Sequence, residues 1–208
     1  MKGLLLTNWY MSIKYFRTQL IISLVFVIMS MVNEDGAFFL VYPVVVASSM
    51  LPTTLLSYEE RSKWNIYCDV LPFTRAQYVT SKYIITGLYL GTSLVLIALL
   101  LFVRMAITNG GSFAGIFLVL EIITMIGIFA AALLLPVIFR FGVEKGRYIY
   151  FIVIILAFAI VGGMHPMDSL LMYSQFSEVQ PLVILGLMMV MGVISWRLSI
   201  RFYKKKEL

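Results

Sequence analysis

Histidine and cysteine occur once each in the 208 residues, as His165 and Cys68, and that scarcity removes several chemistries at the outset. An internal disulfide needs two cysteines, and a lone thiol between Tyr67 and Asp69 in a charged stretch fits a reducing cytoplasmic face. A metal centre needs several His, Cys, Asp or Glu side chains at helical or hairpin spacing, whereas these two lie far apart in the chain. Nucleophilic hydrolysis through Ser or Cys with a His base is not expected either, because His165 falls on the predicted outer side of a membrane and Cys68 on the inner side, where they cannot meet. No phosphate-cradling G-x-x-x-x-G-K-[ST] occurs, and no soluble segment is large enough to hold one. Charge is also scarce, at 12% of residues, against about one quarter in soluble domains.

What is present is apolar: 62% of residues are hydrophobic and the mean hydropathy is +0.98. This excludes a soluble globular domain and predicts an all-α integral membrane protein. The net charge of +6 would suggest nucleic acid in a soluble protein; here it encodes orientation, and no nucleic-acid partner is expected. The opening stretch, MKGLLLTNWYMSIKYFRTQ, is too rich in aromatics and cations for a cleaved leader and is expected to remain.

Six transmembrane segments are predicted, at about 19–33, 36–57, 80–103, 113–139, 148–164 and 181–200, within a single transmembrane domain of 1–208. The second carries Pro43 and Pro52, which should kink it or mark irregular backbone facing protein. The fourth is too long for an upright span, so it must tilt, break near Pro136 or begin at the surface. With an even span count, fifteen of the 16 Lys and Arg fall on one side and only Arg104 on the other, placing both termini in the cytoplasm.

Before the first span, Leu5, Trp9, Ile13, Phe16 and Leu20 share one helical face, whereas Lys2, Asn8, Lys14 and Arg17 lie mostly elsewhere. Residues 1–18 are therefore expected to form an amphipathic interfacial helix. On the outer side, His165-Pro166-Met167-Asp168-Ser169 opens an extracellular segment, 165–180, with His165 as an interfacial polar residue. Gly87 and Gly91 form a GxxxG on the third span, and Met188, Met189 and Met191 lie on the last.

The longest cytoplasmic connection, 58–79, has mixed charges and large aromatics in excess of what a turn needs. Trp64, Tyr67 and Leu71 fall at i, i+3 and i+7, so a short helix could present one stripe before Pro72 stops it. That stripe either binds a partner or lies on the membrane or on the protein's own helices. Glu121 is the acidic residue within a hydrophobic segment. It is either paired, for instance with Arg104, or interfacial, or it contacts substrate or couples a proton.

Tyr58-Glu59-Glu60-Arg61-Ser62-Lys63-Trp64, then Leu71-Pro72-Phe73-Thr74-Arg75, then Ser81-Lys82-Tyr83 resemble the bacterial type-2 permeases of ATP-binding-cassette exporters. That resemblance implies a separate ATP-binding-cassette ATPase subunit that binds ATP and magnesium, with no cofactor in this chain. It implies ATPase coupling through Glu59, Glu60, Arg61, Lys63, Trp64 and Tyr67, and a location in the bacterial cell membrane. The expected function is export of hydrophobic or amphipathic cargo, such as peptide, drug or lipid, by alternating access. Six spans enclose little polar volume, so a second permease chain, identical or not, is expected to complete the path. The alternative is an ion-coupled secondary transporter or channel that uses Glu121. An intramembrane enzyme is not expected, for want of paired catalytic groups at one depth.

Overall fold

The computed structural model describes residues 2–32, 39–62, 64, 74–108, 113–152 and 181–205. Helix α1 (Lys2–Val32) leads to a rod in three parts: α2 (Val41–Val45), a π-helical turn (Val46–Met50) and α3 (Leu51–Arg61). After it come α4 (Arg75–Thr108), α5 (Phe113–Phe141), α6 (residues 143–152) and α7 (Pro181–Lys205). All these elements are helical, as a chain without water to satisfy its backbone requires.

Four stretches among the described residues are long and apolar enough to cross a membrane: Val41–Arg61, Arg75–Ile107, Ile116–Phe141 and Leu185–Lys205. The two halves of α1, Gly3–Lys14 and Arg17–Ser30, meet at 64° and make a fifth only when counted together as one broken span. Against six predicted spans, the described residues hold four or five. Most of the predicted span at 148–164 and all of the 165–180 segment, with His165, lie outside the described residues, as do Lys63, Tyr67 and Cys68.

Two rods form the centre. The apolar stretch of Val41–Arg61 is mostly buried and that of Ile116–Phe141 nearly half buried, whereas those of α4 and α7 are largely exposed. Leu40, Val44, Ile97 and Ile123 pack in one cluster, and Leu134, Leu135, Ile138 and Phe139 in another with Leu56, Tyr78, Val79 and Tyr203. The outer faces of α4 and α7 carry Val95, Leu96, Leu99, Leu187 and Val190, all exposed.

The irregular turn follows from the prolines. Pro52 has no N–H to give the Ser48 carbonyl, and its ring would clash with that carbonyl in a regular helix. The backbone widens just before it, so that the Leu51 N–H reaches back five residues to the Val46 carbonyl. Ser48, Ser49 and Thr53, all buried, turn their hydroxyls onto carbonyls of Val45 and Ser49 in this stretch. Pro136, by contrast, is passed without a break: α5 continues to Phe141.

One glycine sets how closely the rods approach. A Cβ on Gly127 of α5 would come within 2.7 Å of the Val44 Cγ1 and 2.9 Å of the Leu90 Cδ1, so α2, α4 and α5 converge there. Gly127→Val is expected to cost about 1–3 kcal/mol through overpacking, seen as a lower thermal midpoint of the detergent-solubilised protein, whereas Gly186→Val, with nothing within 4 Å, should leave it unchanged.

Candidate coupling site

Glu59 lies in the last turn of α3 and Lys82 about two turns into α4, on either side of the 62–74 connection. Both are buried, at 2% and 1% exposure. The Lys82 ammonium donates to Glu59 Oε1 at 2.5 Å and to Asn8 Oδ1 at 2.7 Å. The Tyr78 hydroxyl donates to the other carboxylate oxygen, Oε2. Asn8 in turn donates through Nδ2 to Ser81 Oγ at 3.2 Å, and Ser81 donates to the Tyr78 carbonyl.

Three helices, α1, α3 and α4, therefore meet in a buried cluster of opposite charges. Isolated, either charge would cost several kcal/mol to bury; together, each has the other's charge and further hydrogen bonds. Tyr78 carries the contact onward, stacking on Tyr203 of α7 with ring centroids 5.1 Å apart and meeting Phe139 of α5 edge-on.

Glu60, the next residue, points to a different neighbour. Its carboxylate oxygens accept from the Val143 N–H at 3.2 and 3.3 Å, at the first turn of α6, where free N–H groups and the helix dipole favour an anion. Gly142 makes that approach possible twice over. Its φ of +83° closes α5, with its N–H on the Ile138 carbonyl, and a Cβ there would sit 3.3 Å from Glu60 Oε1. One acidic pair thus grips two features: Glu59 holds the α1–α4 side and Glu60 the α5–α6 turn.

Of the residues expected to meet a partner, Glu59 is turned inward, its carboxylate engaged by Lys82 and Tyr78, and Glu60 is partly buried on Val143. Arg61 is exposed. Trp64 is partly buried and packs on the Tyr78, Phe139 and Tyr203 cluster. Lys63 and Tyr67 lie outside the described residues. Glu121 is partly buried on α5, about 27 Å along the helix axis from Phe139 at a rise of ~1.5 Å per residue. Arg104 donates to the Ser30 carbonyl. Among the described residues, no three His, Cys, Asp or Glu side chains lie together as a metal site would need.

Sequence reasoning missed Asn8, which it set on the polar face of an interfacial helix. The structure puts Leu4, Asn8 and Ser12 on the buried face, and leaves Trp9 and Ile13 exposed. It also missed Ser195 and Ser199, both buried, which bond the Tyr83 hydroxyl at 2.7 Å each, with Ser195 on the Ala132 carbonyl as well. The signal for Asn8 was its spacing of four from Leu4 and Ser12.

A set of membrane-length helices, with a buried ion pair near the roots of a charged connection, defines a multi-pass membrane protein. Residues 3–204 match the family described as ABC-2 family transporter protein, and the chain belongs to that family. It is a membrane-domain chain of that family rather than the ATPase. No curated protein and no solved structure matches it.

Lys82→Met is expected to leave the Glu59 charge buried alone and to destabilise the detergent-solubilised protein by about 3–5 kcal/mol. The pair Glu59→Gln with Lys82→Met, which removes both charges, should recover most of that loss. Thermal unfolding followed by size-exclusion peak height reads both.

Proposed function

We propose that this chain is the half-permease of an ATP-driven exporter, moving hydrophobic or amphipathic cargo such as peptide, drug or lipid outward. A separate ATP-binding-cassette ATPase, holding ATP and magnesium, supplies the power, and a second permease chain completes the path. Both termini and the 62–74 connection face the cytoplasm of a bacterial cell, with residues 1–18 along the membrane surface and 165–180 outside.

The observation that carries this reading, beside the family, is the buried anchoring of both ends of that connection. A push on a loop moves spans only if the loop's roots are stiff, and a desolvated ion pair with two further hydrogen bonds is a stiff root. Glu59 and Lys82 serve as the anchor, so the docking surface is Arg61, Lys63 and Tyr67, with Trp64 joining the two. Movement of α3 and α4 as one body also carries Asn8 of α1, and Glu60 passes it to the α5–α6 turn, so that the spans rock together. The open side of α4, where a Cβ on Gly87 or Gly91 would meet nothing within 4 Å, is available to the second chain.

The test is co-purification with the ATPase encoded beside this chain. Arg61→Glu should weaken the complex about tenfold or more, and abolish coupled ATP hydrolysis, with thermal stability unchanged because Arg61 is exposed. Failure of the unaltered chain to bind any such ATPase would refute the proposal.

A further inference from the structure

The end of α7 has two opposed faces. Ser195, Ser199 and Tyr203, four residues apart, are buried against the bundle. Two positions on from each, about 200° around the axis, stand Arg197, Arg201 and Lys205, all exposed, with Lys204 exposed beside them. None of these four cations has a side-chain ion pair or hydrogen bond among the described residues.

The same outward face continues up the helix as Val183, Leu187, Val190 and Ile194, at spacings of four, three and four, and all four are exposed. From Val183 to Ile194 is about 17 Å and from Arg197 to Lys205 about 12 Å at ~1.5 Å per residue. A bilayer leaflet offers the matching sequence: about 15 Å of hydrocarbon, then phosphate. A soluble protein partner could meet the basic end, but not the apolar stripe that runs into it without a break. Next to Arg201 in the chain, Phe202, together with Phe141, holds the exposed Arg140 guanidinium at 5.1 Å, which fixes a further cation at the basic end of α7.

We propose that Arg197, Arg201, Lys204 and Lys205 form a headgroup site for an anionic phospholipid, whose acyl chains lie along Val183, Leu187, Val190 and Ile194. The opposite face of α7 is tied to α4 at several levels. The Tyr83 hydroxyl meets Ser195 and Ser199, the Trp196 indole N–H donates to Thr80 at 3.0 Å, and Arg75 reaches the Lys204 carbonyl at 3.4 Å. A lipid held on α7 therefore also fixes the depth of α4, which carries Lys82. That consequence for coupling rests on the proposed function; the lipid site does not.

The experiment is native mass spectrometry of the full chain in detergent, titrated with phosphatidylglycerol or phosphatidylcholine, with no ATPase present. Phosphatidylglycerol should bind several-fold more tightly, and Arg197→Gln with Arg201→Gln should weaken it more than tenfold, at about fivefold per cation, while phosphatidylcholine binding stays the same. Lys204→Gln with Lys205→Gln, at the helix end, gives the same readout should the first pair impair folding. Equal binding of the two lipids, or a preference unaltered in both double variants, overturns the proposal. Displacement of phosphatidylglycerol by millimolar inorganic phosphate would assign a free-phosphate site, and a changed oligomeric state with unchanged lipid preference would assign the face to a second copy. Either result also overturns it.

Discussion

A lysine and a glutamate buried together, with no water to screen or solvate them, constrain everything around them. Lys82 can remain charged at 1% exposure only where Glu59 and Asn8 both reach its ammonium, so α1, α3 and α4 must cross at that point. The amino-terminal half of α1 cannot drift along the membrane surface independently, because withdrawing Asn8 would remove one of the lysine's acceptors and leave Ser81 without that donor. Tyr78 transmits the constraint outward, its hydroxyl on the carboxylate and its ring clustered with those of Tyr203 and Phe139, which also meet each other.

The same shortage of water governs the backbone. Proline in a span removes a donor and crowds a carbonyl, and the rod through Pro43 and Pro52 answers with a π-helical turn and three buried hydroxyls aimed at carbonyls. Irregular backbone is tolerated there because this is the most buried of the candidate spans, enclosed by protein. In α5, Pro136 needs no such device to keep the helix continuous.

Adjacent acidic residues on one helix end commonly share a solvated face, but successive positions are about 100° apart around the axis. Glu59 and Glu60 use that angle to grip different partners, one the ammonium of α4 and the other the first turn of α6. The positive φ of Gly142 and its missing Cβ admit the second carboxylate. For a transporter of the ABC-2 family, this ties the end of α3 to the α5–α6 turn through one carboxylate.

Much was legible without coordinates. Composition and long apolar runs established an all-helical membrane protein, because hydropathy over some twenty residues needs no partner to be meaningful. The Pro43 and Pro52 pair announced irregular backbone, and the pattern from Tyr58 to Tyr83 pointed to the permease family that the match over 3–204 shows. What the helical pattern could not say is what each face meets. Spacing sets Leu4, Asn8 and Ser12 on one side of α1, but whether that side sees headgroups or Lys82 depends on where α4 packs, 74 positions along the chain. Likewise Glu59 reads as a charge at a loop's edge until the bundle closes over it. The sequence by itself determined the class, the spans' composition and the charge asymmetry, all local sums. Only the tertiary structure decided which charges are buried as pairs and which stay outside, because desolvation belongs to the packed bundle and not to any one helix.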